Sequence, residues 1–152
     1  MSRLFSAYVI VDWSAAAKPS TGPDSVWIGV AKRDLRFRLT FESYNPPTRA
    51  EAEKKLADIL DDFKKRGERA LVGFDFPLGF PRGFSKALNL TGEHPWRAVW
   101  DQLDKMVKDK ADNTNNRFGV GSEINRRMTG GPFPFWGCPP KDALTTLQPK
   151  RT

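Results

Sequence analysis

The chain has 152 residues, of which 39% are hydrophobic, 12% aromatic and 28% charged, a balance that excludes a disordered or fibrous protein. This length predicts one domain with a sizeable hydrophobic core. The 25 Lys and Arg residues exceed the 18 Asp and Glu residues, and the resulting net charge of +7 favours a polyanionic partner such as nucleic acid or a nucleotide.

Two classes of protein are excluded by short features of the sequence. Cys138 is the only cysteine, so neither an internal disulfide nor a cysteine-rich zinc site is available. The apolar run Ala7–Val11 is too short for a membrane span or for the core of a signal peptide. We therefore expect a cytoplasmic protein that makes no use of a membrane.

Three strands are predicted at the start of the chain. Phe5–Trp13 is rich in β-branched and aromatic residues, Val26–Arg33 alternates, and Leu35–Tyr44 alternates most clearly. Asp34 marks a tight turn between the second and third of these strands. The pattern predicts a three-stranded meander with one polar and one buried face, and the buried face of the third strand is expected to carry Leu35, Phe37, Leu39 and Phe41.

A helix and a fourth strand follow. Thr48 with Glu51 three residues later has the form of a capping box, which predicts a helix from Thr48 to Arg66 that stops at Gly67. Arg69–Phe76 then reads as a strand. Its unbroken apolar run predicts burial on both of its faces.

The second half of the chain has a less regular pattern. An amphipathic helix is predicted at 95–111, with Trp96 and Trp100 on its apolar stripe. From residue 113 onward the chain is basic and rich in proline, with only a short helix predicted at 122–128. We therefore divide the sequence into a core at 1–112 and a loop-rich extension at 113–152, which we expect to pack on the core through Phe133, Phe135 and Trp136.

Two aspartates end two of the predicted strands. If the helix between them is a right-handed crossover, the first and fourth strands are parallel neighbours and the sheet order is 3-2-1-4. Asp12 and Asp75 then lie side by side at the carboxyl ends of these strands, where open sheets usually bind ligands. Each aspartate has an alternative role as a hydrogen-bonded cap of the turn that follows it.

Further carboxylates are expected at the same end of the sheet. Asp24 precedes the second strand, and Glu53 lies in the first turns of the helix, whereas Glu51 is better explained by the capping box. We predict Asp12, Asp75 and Asp24 as metal ligands, with Glu53 as a further catalytic carboxylate. Oxygen ligands of this kind suit Mg²⁺ or Mn²⁺, because these ions keep several waters and bridge to substrate phosphates.

The turn after Asp12 consists of small residues. Ser14 and Ala15 would let a phosphate approach the main chain, as phosphate-binding turns after first strands do. We take these two residues as candidates for nucleotide or cofactor binding.

Three motifs carry a resemblance to a known family. The stretches VIVDWSAA, TGPDSVWIG and VGFDFPLGFP resemble an uncharacterised bacterial group of RNase H-like predicted nucleases, over about residues 5–140. Some members carry labels that link them to molybdopterin guanine dinucleotide synthesis. The resemblance implies an α/β fold with a mixed sheet and flanking helices, in which Asp12 and Asp75 match the aspartates of the first and fourth strands.

One expectation from the resemblance has no counterpart in the sequence. RNase H-like folds usually have a fifth strand and a later acidic residue, and members of this family are longer. Glu123 is the one late acidic candidate in this chain, and no strand is predicted after it. We therefore expect a shortened member of the family or an N-terminal fragment.

The leading functional hypothesis is a metal-dependent phosphodiester hydrolase. The first alternative is nucleotide-phosphate binding or phosphotransfer on half of an actin-like ATPase fold, which also places an aspartate beside a phosphate-binding turn. The second is a binding module without catalysis, in which Asp12 and Asp75 only cap turns. The contacts of the two carboxylates distinguish the three.

Overall fold

The fold was analysed in a computed structural model, which describes residues 4–34 and 36–128. Its elements in chain order are β1 (Ala7–Asp12), β2 (Trp27–Arg33), β3 (Leu39–Tyr44), α1 (Arg49–Lys65), β4 (Ala70–Phe74), α2 (Phe84–Ala87), α3 (Pro95–Met106) and α4 (Arg117–Arg127). The chain is therefore an α/β protein. Within the described residues, no helix has the length and apolar character needed to cross a bilayer.

The chain divides into two compact units, which are described separately. Among the described residues, the first holds 4–77 together with Lys110–Thr114, and the second holds Leu78–Asp109 and 115–128. The predicted division into 1–112 and 113–152 stays a prediction. The expected packing of Phe133, Phe135 and Trp136 lies outside the described residues.

The four strands form one mixed sheet in the predicted order, β3-β2-β1-β4. β1 pairs antiparallel with β2 and parallel with β4, and β2 pairs antiparallel with β3. The helix α1 connects β3 to β4 and begins as predicted: Thr48 is the N-cap and its side chain accepts a hydrogen bond from the main-chain N–H of Glu51.

The core of the first unit lies on one face of the sheet, where α1 packs. Alternate residues of β1 are fully buried, and α1 contributes Ala52 and Phe63 to the same cluster. We call this the covered face. The buried side chains that it shares with the helix are Ala7, Val9, Val11, Val26, Ile28 and Val30.

The other face of the sheet is apolar and exposed, and here the prediction for β3 was wrong. The side chains of Leu39 and Phe41 are 63% and 70% exposed, because their pairing with Arg33 and Ala31 places them opposite α1. Phe37 is not in the strand at all: it has a φ of 61° in the turn after β2. That turn is closed by the Asp34 carboxylate, which accepts hydrogen bonds from the N–H groups of Arg36 and Arg38.

Burial of β4 on both faces was also expected and is wrong. Leu71 of β4 is 46% exposed, since it lies beside Tyr8 on the same uncovered face. Although the run is apolar throughout, β4 packs against the core on one face only, the covered face.

The second unit has its own core, to which α2, α3 and α4 all contribute. α4 begins at Arg117, five residues earlier than the short helix that the sequence predicts, and it buries Val120, Gly121 and Ile124. Gly119 and Gly121 lower the intrinsic helix propensity of this stretch, and tertiary packing outweighs that preference. The buried cluster consists of Phe84, Leu88, Val99, Leu103, Val120 and Ile124.

Asn113 holds the segment Lys110–Thr114 against the start of α1. Its side chain is 1% exposed, and its amide oxygen accepts a hydrogen bond of 2.8 Å from the N–H of Arg49 at the start of α1. Its amide nitrogen donates to the carbonyls of Lys18 and Pro47 at 3.1 and 3.4 Å. The residue has a φ of 71°, a conformation that Asn tolerates better than most residues.

We predict that Asn113→Ala lowers the free energy of unfolding by about 2–4 kcal/mol, since it leaves several buried polar groups without their partner. Asn113→Gly removes the same hydrogen bonds but accepts the positive φ, so its loss is smaller by about 1 kcal/mol. Urea denaturation followed by tryptophan fluorescence measures both values. A loss below 1 kcal/mol in the Ala variant would contradict the assigned contacts.

Candidate functional site

Asp12 and Asp75 lie next to each other, as predicted. β1 and β4 are in parallel register up to Val11 and Phe74, and the N–H of Asp75 continues the ladder by donating to the carbonyl of Val11 at 3.2 Å. Asp12 and Asp75 are therefore the next residues on the two strands. Both fall on the face opposite α1, and both are exposed.

The two carboxylates interact directly. One oxygen of Asp75 (Oδ1) accepts a hydrogen bond of 2.9 Å from the main-chain N–H of Trp13. The pKa of Asp12 is raised above its ordinary value of 3.8, first by its partial removal from water, then by the hydrogen bond to Asp75 and by the negative charge of that residue. A second negative charge is therefore unfavourable at this site, and a bound cation would compensate it.

Aromatic residues are close neighbours of both aspartates in the chain and in the sheet. Trp27 is directly opposite Asp12 on β2. The ring of Trp13 meets Phe76 edge-on with centroids 6.3 Å apart, and Phe76 lies 4.9 Å from Phe74. Trp13 and Phe74 pack against the core of the covered face, whereas Trp27 shares the exposed face with the two carboxylates. The exposure of Asp12 and Asp75 leaves them open to an ion or a phosphate from solvent.

The turn that follows Asp12 is held by its own hydrogen bonds. Ser14 is buried, and its hydroxyl donates to the carbonyl of Asp24 at 2.8 Å and accepts from the N–H of Ala16 at 3.1 Å. Ala15, the second candidate for phosphate binding, is exposed. The Ser14 hydroxyl and the N–H groups of Trp13 and Ala16 thus have partners within the protein, which leaves less of this turn for a phosphate than the sequence suggested.

Arg49 is a positioning residue that the sequence analysis missed. Its guanidinium is buried and donates to the carbonyls of Ser14, Ala16 and Asn113 at 3.2, 2.7 and 2.7 Å. Arg49 is the first residue of α1, where the helix dipole disfavours a cation. That unfavourable placement was the one signal in the sequence that could have marked Arg49 for a specific contact.

The other predicted carboxylates are placed differently. Asp24 is exposed, has a φ of 58°, and uses its main-chain carbonyl to accept from Ser14. Glu53 is exposed on α1. Among residues 4–34 and 36–128, no group of three or more His, Cys, Asp or Glu side chains is arranged to hold a metal ion. The site is therefore a pair of carboxylates, and neither Asp24 nor Glu53 joins it to make a third ligand.

No family model, no curated protein and no solved structure matches the chain. The functional argument therefore depends on the geometry of the carboxylate pair.

Asp12→Asn is expected to stabilise the protein at neutral pH. A raised pKa means that the folded state binds a proton more tightly than the unfolded state, so ionised Asp12 destabilises the fold above its raised pKa. This destabilisation disappears as the pH falls below 3.8, the ordinary value. The stability advantage of the variant should thus shrink with falling pH, as measured by thermal melts of both proteins between pH 3 and 8. Parallel curves would contradict the interaction.

The hydrogen bond from Trp13 to Asp75 gives a second prediction. Asp75→Ala removes the acceptor and should lower the free energy of unfolding by about 0.5–1.5 kcal/mol. Asp75→Asn retains an oxygen in the same position and serves as the matched control. Hydrogen exchange of the Trp13 amide should accelerate in the Ala variant and stay slow in the Asn variant. Equal exchange in both variants would show that the amide has another acceptor.

Proposed function

We propose that this chain is a divalent-metal-dependent phosphodiester hydrolase of RNase H-like fold, with Asp12 and Asp75 as its metal ligands and with nucleic acid or a nucleotide as its substrate. The sheet order and the parallel β1-β4 pair support the fold proposal. The net charge of +7 supports a polyanionic substrate.

One observation carries the proposal: two exposed carboxylates occupy neighbouring positions at the carboxyl ends of two parallel strands, on the same face of the sheet. Capping the turn after β1 requires a single acceptor, and Asp75 already provides it through the bond from Trp13. The second carboxylate, Asp12, has no part in that cap, and its pKa is raised first by its partial removal from water and then by the neighbouring Asp75. An arrangement that is unfavourable for the fold and open to solvent is typical of a binding site.

The donor set fits Mg²⁺ or Mn²⁺. Mg²⁺ is usually bound by only one or two carboxylates, with waters and substrate phosphates completing its shell. The bound ion would supply a Lewis acid that lowers the pKa of a water and neutralises charge on the phosphodiester. Asp12 and Asp75 would hold the ion, and the bond from Trp13 would fix the orientation of Asp75.

The proposal predicts that Mn²⁺ or Mg²⁺ raises the melting temperature of the parent protein. At tenfold excess over the dissociation constant the gain is about 1.4 kcal/mol, which corresponds to about 3–6 °C for a chain of this size. Asp12→Asn and Asp75→Asn should abolish this rise and reduce metal-dependent hydrolysis at least about 100-fold. Hydrolysis is measured on bis(p-nitrophenyl) phosphate and on labelled single- and double-stranded DNA and RNA.

Asp61→Asn is the matched control, since it removes an exposed carboxylate of α1 that lies outside the pair. It should leave both the metal response and the hydrolysis unchanged. A parent protein that does not respond to either ion, together with a loss of stability in Asp75→Ala that Asp75→Asn does not show, would overturn the proposal and support the role of Asp75 as a turn cap alone.

A further inference from the structure

The face of the sheet opposite α1 carries a continuous set of exposed apolar side chains. Phe41 is 70% exposed and Ile10 60%, and even the least exposed member, Trp27, is 39% exposed. The register of the strands places all of them on the same side. We call this set the open face, and it consists of Tyr8, Ile10, Trp27, Leu39, Phe41 and Leu71.

Two glycines make the open face flat. A Cβ on Gly29 would lie 3.3 Å from the ring of Phe41, and a Cβ on Gly73 would lie 3.2 Å from the terminal methyl of Ile10. The large side chains therefore lie across the glycines instead of standing upright on the sheet. A contiguous apolar patch of a few hundred Å² is often a functional surface on a soluble protein.

The two ends of the open face differ in charge. Asp12 and Asp75 lie at the end where β1 finishes. At the opposite end lie Arg33 on β2 and Arg69 immediately before β4, on either side of the start of β1. Arg36 and Arg38 in the β2–β3 turn belong to the same end, which also holds the two acidic residues Asp34 and Glu68, ion-paired with Arg38 and Arg66.

The opposite charges at the two ends of the open face favour a second copy of the chain as its partner. We propose that the open face is the interface of a homodimer, in which a second copy of the chain packs face to face with its strands reversed. A two-fold axis across the strands places β1 over β1 of the second copy, so the acidic end of each face meets the basic end of the other. Such an isologous contact is the commonest form of self-association, and it pairs both charged ends at once.

The size of the face sets the expected affinity. Four strands about 4.8 Å apart and about 20 Å long span roughly 380 Å² per copy, which is below the 800 Å² per partner of a standard interface. The dimer is therefore weak and is expected to form only at high protein concentration. This inference does not require the proposed hydrolase activity, because the dimer would form in the absence of metal and substrate.

Sedimentation velocity of the full chain between about 1 and 500 µM tests the proposal. The parent protein should shift from monomer to dimer across this range. Phe41→Glu and Ile10→Glu place a charge at the centre of the face and should raise the dissociation constant at least about 30-fold, the effect of a hot-spot residue. Leu78→Glu is the matched control: Leu78 is an equally exposed apolar residue outside the sheet, and its substitution should leave association unchanged.

The charged ends of the open face allow a second test of the dimer. Arg69→Glu should weaken the dimer, and the weakening should be largest at low salt, because exposed charges are screened above about 0.15 M. Circular dichroism of each variant establishes that it is folded.

Three outcomes would overturn the proposal. A parent protein that stays monomeric to 500 µM has no such interface. A dimer that survives both Phe41→Glu and Ile10→Glu forms elsewhere on the chain. A monomeric parent that binds a labelled single-stranded oligonucleotide through Tyr8, Trp27 and Phe41, with binding lost in Phe41→Glu, would assign the open face to nucleic acid, since exposed aromatic rings on a sheet also stack bases.

Discussion

The parallel register of β1 with β4 is the constraint on which the candidate site depends. Val11 and Phe74 are partners in the ladder, and the N–H of Asp75 donates to Val11, so Asp12 and Asp75 emerge together on one face. A shift of one residue would send one of the carboxylates to the face covered by α1. The buried set Val9, Val11 and Val72 opposes that shift, because it would expose apolar side chains that now belong to the core. The core on one face thereby determines the charge pair on the other.

The turn after β1 is held from two sides. Asp75 accepts the N–H of Trp13, and the buried guanidinium of Arg49 binds the carbonyls of Ser14 and Ala16. Asn113 binds the main-chain N–H of Arg49, and its own carbonyl accepts from the guanidinium. A segment more than 60 residues away in the chain thus helps to fix the geometry of the turn beside Asp12. Fixed geometry of this kind is what a metal or phosphate site requires of its supporting residues.

Much of the first unit could be predicted from local patterns. The capping box at Thr48 and the alternation in β1 depend on residues close in sequence, and the order of the strands follows from the handedness of a single crossover. From these features, the adjacency of Asp12 and Asp75 could be predicted. The face on which β3 buries its side chains could not be predicted in this way. Leu39 and Phe41 alternate as a half-buried strand should, but periodicity does not say which side α1 will cover.

Long-range contacts were invisible to the sequence analysis. The partners of Asn113 are set by the return of Lys110–Thr114 to the first unit, which has no local signature. Asp24 was expected near Asp12 because β2 runs antiparallel to β1, and this reasoning placed its main chain correctly beside Ser14. Strand order does not give the direction in which the carboxylate of Asp24 points. Metal ligation therefore needs side-chain geometry, which strand order alone does not supply.

The two proposals for this chain are coupled through β1. Its outward residues Tyr8 and Ile10 belong to the open face, and the next outward residue is Asp12. In the antiparallel dimer the basic end of one copy approaches Asp12 and Asp75 of the other, so the same two charges are compensated either by a divalent ion or by arginine. Metal binding and dimer formation therefore oppose each other. Linkage requires that the metal weakens dimerisation by the same factor by which dimerisation weakens metal binding. If both proposals are correct, the monomer is the form that binds metal more tightly, and self-association limits how much of the protein is available for phosphodiester chemistry.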